Sequence, residues 1–116
     1  MSPKLAADIA QFAGEIFGSP AGNTWVKIRS LPVTNYAEND PGVRDPVCPV
    51  FVSVLKATLP AGVEMQREVT RLTAMIAQVC NRPAQNVHIL YLLAEAGRVA
   101  FGGQLVGDAG NNITAP

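Results

Sequence analysis

The chain has 116 residues, 48% of them apolar and 16% charged, and its nine basic residues are balanced by nine acidic ones. That size and composition describe one globular domain with enough apolar side chains for a core, and exclude a disordered segment. Zero net charge offers no basic field to attract nucleic acid. No apolar run approaches the roughly 18 residues of a membrane span.

Lys4–Phe17 carries Leu5, Ile9, Phe12, Ala13 and Ile16 at helical spacing. Pro3 suits the first turn of that helix, where its missing N–H costs nothing, and Gly18 suits a left-handed stop. Thr24–Leu31 alternates as a strand, with Trp25, Lys27 and Arg29 on one side and Val26, Ile28 and Leu31 mostly on the other. Pro32–Pro49 is rich in turn formers, including Asn39-Asp40-Pro41-Gly42, Pro46 and Pro49. A loop of that length in a compact domain is usually functional or forms an interface. A strand is expected over Val50–Leu59, and its Val50–Leu55 run is apolar enough for a strand covered on both faces.

Pro60-Ala61-Gly62 turns the chain into a second helix, Val63–Cys80. Its buried stripe is Val69, Leu72, Met75, Ile76 and Val79, with Glu64, Arg67, Glu68 and Arg71 outward. Asn81-Arg82-Pro83 ends it, because a residue before proline avoids helical angles. Val87–Leu93 is another apolar strand, Gly97–Val106 a glycine-bearing hairpin arm, and Gly107–Pro116 a polar tail expected to fray. The N-terminus has no continuous apolar stretch, so no secretion signal is read there. Cys48 and Cys80 then fit reduced thiols of a cytoplasmic protein.

An internal repeat organises these elements. Pro20-Ala21-Gly22-Asn23 returns as Pro83-Ala84-Gln85-Asn86, a shift of 63 residues. Ile9, Phe12, Ala13 and Ile16 align with Leu72, Met75, Ile76 and Val79, and Val26 and Ile28 align with Ile89 and Tyr91. The second copy has a strand ahead of its helix and the first has none. The reading is one domain of two units: 4–31, incomplete and α-β, and 49–106, a complete β-α-β with a hairpin. A strand–helix–strand crossover joins parallel neighbours with right-handed sense, which puts both helices on one sheet face. The opposite face is also apolar, so oligomerisation through it is expected. The slot of the missing strand must close in one of two ways. Either the Trp25 strand pairs directly with the Val50 strand, or a neighbouring chain intrudes.

With Pro49-Val50-Phe51-Val52, Val63–Cys80, Val87–Tyr91 and Gly97–Gly103 in this order, Pro49–Val106 resembles a whole subunit of the 4-oxalocrotonate tautomerase family. The two-unit arrangement resembles the macrophage migration inhibitory factor branch of the same superfamily. The resemblance implies an α+β fold of fused β-α-β units, here without the first strand, assembled as a homotrimer without metal or cofactor. It also implies a small carboxylate-containing ligand, with a terminal proline amine as base and arginines holding the carboxylate. This chain departs from that pattern at both points. Cys48 acylates the nitrogen of Pro49, and an amide nitrogen is not a base. The family's arginine on the second strand aligns with His88 in one unit and with Trp25 in the other.

The candidate catalytic residues are therefore His88 and Pro49. His88 is the one histidine and a possible acid or base near neutrality; its ordinary role would be a hydrogen-bonded strand residue. Pro49 would act only if the chain were cut before it. Lys27, Arg29 and Trp25 form a cationic face with an aromatic floor, suited to a carboxylate or to a subunit contact. Arg98 in the hairpin and Tyr36 and Asn39 in the long loop complete the candidate binding set. No metal-ligand spacing, phosphate loop or dinucleotide fingerprint is present. Two function classes follow: an isomerase of a small enol or keto acid, or a silent trimeric binding protein of the same fold, alone or mixed with a full-length paralogue.

Overall fold

The computed structural model describes residues 3–40, 47–92, 97 and 100–105. Helix α1 (Leu5–Phe17) is followed in chain order by a short 3-10 turn (Val33–Asn35), β1 (Val50–Val54), α2 (Gly62–Cys80) and β2 (Val87–Tyr91). Two-residue strands β3 (Ala100–Phe101) and β4 (Gln104–Leu105) pair as a small antiparallel hairpin. Strands β1 and β2 pair in parallel, with Val50 opposite Val87, Phe51 opposite His88 and Val54 opposite Tyr91. The Leu92 N–H extends the ladder by donating to the Val54 carbonyl at 2.9 Å.

Both helices end in the same way, 63 residues apart. Gly18 (φ 66°) and Asn81 (φ 54°) take the left-handed conformation that releases the chain from each helix. The Ser19 N–H donates to the Gly14 carbonyl, and the Arg82 N–H repeats this to Ala77. Asn23 closes a turn on Pro20 at 3.1 Å, and Asn86 closes one on Pro83 at 2.9 Å. Pro3 lies ahead of the N-cap residue Lys4 and so outside the helix it was expected to begin.

Helix α2 packs on β2 and beside α1, and its Leu72 clusters with Val54 of β1. Leu72 and Ile76 are the most deeply buried side chains, joined in the core by Ala13, Val54 and Val87. Ile16, Phe17, Val52, Met75, Ile89 and Tyr91 pack against the Ala13–Val54–Leu72 cluster. Glu68, expected to face solvent, is buried instead. The reason is a polar knot: Lys56 Nζ donates to one carboxylate oxygen at 2.7 Å and the Tyr91 hydroxyl to the other at 2.6 Å. The same Lys56 ammonium stands 4.6 Å from the centre of the Phe17 ring. One carboxylate thus ties the end of β1, the end of β2 and the last turn of α1 to α2.

Three expectations give way. Residues 24–31 form no strand, and among the described residues β1 pairs only with β2. Direct pairing of the Trp25 segment with the Val50 strand is therefore not how the slot closes. An extended sequence becomes a strand only when a neighbour accepts its N–H and C=O groups. The Val50 strand ends at Val54, short of Leu59. The sheet face turned away from the helices is apolar, as expected, with Phe51 63% and Leu90 61% exposed. The polar tail and parts of the long loop and hairpin arm lie outside the described residues.

Removing the carboxylate by Glu68→Ala strands a half-buried ammonium and a phenol. Urea unfolding is expected to show a loss of about 3 kcal/mol. Burial first, then the hydrogen bond to Glu68 and its charge, hold the Tyr91 hydroxyl above its ordinary value of 10.0. The folded chain keeps this proton where the unfolded chain loses it. Its contribution is therefore complete below about pH 10 and drains as the pH rises further. Tyr91→Phe is expected to be less stable at neutrality and to show a shallower alkaline decline in melting temperature.

Candidate functional site

Parallel strands begin at the same end of a sheet, so the segments leading into β1 and β2 converge. The first brings Cys48 and Pro49, and the second runs from Asn81 through the 84–86 turn to Val87. Alternation fixes the facing. Val52, Val54, Val87, Ile89 and Tyr91 turn toward the helices, while Phe51 and His88 turn to the open face.

On that face the register sets Phe51 beside His88, with ring centroids 5.2 Å apart and planes tilted by 38°. Tyr36, from the long loop, adds a third ring 5.8 Å from Phe51. Its hydroxyl donates to Glu38 at 2.6 Å, and this bond, more than burial or the carboxylate's charge, raises the hydroxyl above its ordinary 10.0. Tyr36 is thus a protonated donor already engaged. Pro49 lies two residues before Phe51, at the same end of the pair, and its nitrogen is part of the Cys48–Pro49 amide.

The structure brings His88 and Tyr36 to the ring of Phe51, an unanticipated floor, which Pro49 precedes by two residues. It does not bring Trp25, Lys27 and Arg29 into the same arrangement through a shared sheet. Trp25 is 65% exposed, and its indole N–H donates back to the Gly22 carbonyl at 2.7 Å. Lys27, Arg29 and Asn39 are exposed. Arg98 lies outside the described residues.

Arg82 is the residue that sequence reasoning missed. Its Nε donates to the Cys48 carbonyl at 2.9 Å, reaching across 34 positions of chain. Its Nη1 donates to the carbonyls of Cys80 at 3.1 Å and Asn81 at 3.2 Å. A guanidinium is therefore fixed beside Pro49. The repeat gives no hint of it, since the aligned residue is Ser19. Burial raises the Cys80 thiol above its ordinary 9.0, against the opposing charge of Arg82, so Cys80 is a poor nucleophile. Among the described residues no group of three metal-ligating side chains occurs. A separate open groove of about 680 Å³, lined by Ile16, Pro60, Val63 and Arg71 among others, lies along the helices; of its two carboxylates, Glu68 is engaged on both oxygens and Glu64 is paired with Arg67.

No family model and no curated protein matches the chain. Solved structures do. A wild-type fused 4-OT, described as an asymmetric trimer, is similar at a TM-score of 0.67 and 21% identity, over 88% of this chain and 81% of that one. A native fused 4-OT gives 0.65 and 19%, over 88% and 82%. A malonate semialdehyde decarboxylase inhibited by 3-bromopropiolate gives 0.59 and 18%, again over 88% and 82%. With α2 crossing from β1 to a parallel β2, α1 packed alongside, and this likeness over most of its length, the chain shares the two-unit α+β fold of the fused 4-OT structures.

Proposed function

We propose that the chain is an isomerase of a small enol or keto acid, with His88 as the group that carries the proton. The supporting observation is the placement of His88: exposed, in register with Phe51, and at the end of the strand pair where Pro49 and Tyr36 also lie. Tautomerisation needs one proton moved between carbon and oxygen with no net loss of atoms or electrons. A neutral imidazole can take the proton from one site and return it to the other. Pro49 cannot, because its nitrogen lone pair is delocalised into the Cys48 carbonyl. The flat rings of Phe51 and His88 suit a planar, conjugated acid.

A second reading has its own observation. The Cys48–Pro49 amide is intact and its carbonyl is tied down by Arg82. That arrangement favours a site that holds a small carboxylate without turning it over. Both readings place the site in a homotrimer, supported by the bare apolar face of Phe51, Leu55, Leu90 and Leu92 and by the trimeric neighbour. The free thiols Cys48 and Cys80 suit a reducing compartment such as the cytoplasm.

Phenylpyruvate or 2-hydroxymuconate tautomerisation, followed by ultraviolet absorbance, is expected to exceed the buffer rate with the wild type. His88→Ala should lose about a hundredfold of the excess. A wild-type rate equal to buffer would favour the silent reading. Sedimentation is expected to give a trimer for the wild type. Leu90→Glu, which sets a charge on the bare face, should give a monomer of unchanged helix content.

A further inference from the structure

We infer that the chain takes up one extended segment of another polypeptide, as a strand between Thr24–Ile28 and β1. The internal repeat defines the place. Thr24 and Val26 align with Val87 and Ile89 of β2 at the 63-residue shift. They also carry the same alternation: Thr24 and Val26 are half-buried and Trp25 and Lys27 exposed, just as Val87, Ile89 and Tyr91 turn inward and His88 and Leu90 do not. A Cβ built on Gly14 would stand 3.6 Å from the Thr24 hydroxyl oxygen, so the segment starts against α1. Thr24–Ile28 is thus laid along its helix as β2 is along α2, with no described strand paired to it.

Helix α1 touches both borders of the slot. Ala13 clusters with Val54 of β1, and the next residue, Gly14, meets Thr24. Two extended stretches therefore lie beneath one helix without pairing to each other, and among the described residues β1 is paired only on its β2 side. The repeat also specifies the occupant. In the second unit the strand set against Val87–Tyr91 is Val50–Val54, whose Val50, Val52 and Val54 turn toward the helices while Phe51 and Ser53 turn away. The segment that fits shares this chemistry: about five residues, apolar and β-branched at every second position, uncharged on its inward side, and unpaired on both edges. A partner chain must supply it, because a second copy offers β1 only with β2 already on one edge and so satisfies one border and not both. Addition of such a strand is backbone pairing for affinity, with the inward side chains setting the choice of partner.

The probe is a synthetic peptide, Pro-Val-Phe-Val-Ser-Val-Leu with a short lysine tail for solubility, which copies Pro49–Leu55. Titrated into the full chain, it is expected to change the fluorescence of Trp25, the one tryptophan, and to saturate at one peptide per chain. Amide hydrogen exchange should slow in both 24–28 and 50–54. A peptide carrying Val52→Lys sets a charge against the helices and should bind more than about tenfold more weakly. A peptide carrying Ser53→Lys sets the same charge on the open face and should bind nearly as well as the parent. Equal affinity of the two lysine peptides means unspecific apolar adhesion and overturns the inference. Slowing confined to 50–54 means addition to a lone strand edge and overturns it as well, as does the lack of any saturable change. None of these outcomes bears on the role of His88, which is read from the tautomerisation rate.

Discussion

Everything that positions the candidate site follows from one pairing. Strands β1 and β2 run in parallel, so they start together, and the segments that feed them meet at one end. Register then decides the chemistry, because Phe51 and His88 face each other on the open side while Val52 and Ile89 face each other on the helix side. A slip of one residue would turn His88 into the core and Val87 out of it. The crossover through α2 makes this pairing possible, and the burial of Leu72 and Ile76 holds the crossover down.

The helix side and the open side solve different problems. Beneath the sheet, polar groups are few and fully matched. Among the described residues no buried side-chain nitrogen or oxygen lacks a partner. The Glu68 carboxylate uses both oxygens, which makes a charge inside the core tolerable. On the open side the rings are only partly covered, with Phe51 63% exposed.

Much of this was readable in the residues. The helices stand close to where their apolar spacing put them, Leu5–Phe17 and Gly62–Cys80, and the left-handed stop at Gly18 follows from its lack of a Cβ. The parallel strands could be read from β-branched runs flanked by turn residues. What could not be read depended on partners distant in sequence. Glu68 sits at an apparently polar position of α2, and only Lys56 and Tyr91, brought in by the strands, explain its burial. The Thr24–Leu31 alternation is genuine, but periodicity records a preference for extended backbone and says nothing about whether a neighbour is there to pair with. Arg82 was invisible because its acceptor, the Cys48 carbonyl, is a backbone atom 34 residues away and carries no sequence signature.

The free side of β1 has a consequence of its own. Among the described residues, β2 takes one edge of Val50-Phe51-Val52-Ser53-Val54 and nothing takes the other. Those five positions contain no charge and no proline, the two devices that ordinarily blunt an exposed edge. Such an edge is a template on which any extended polypeptide can add itself, one rung at a time. In a concentrated sample, a second copy of this segment is itself such a polypeptide.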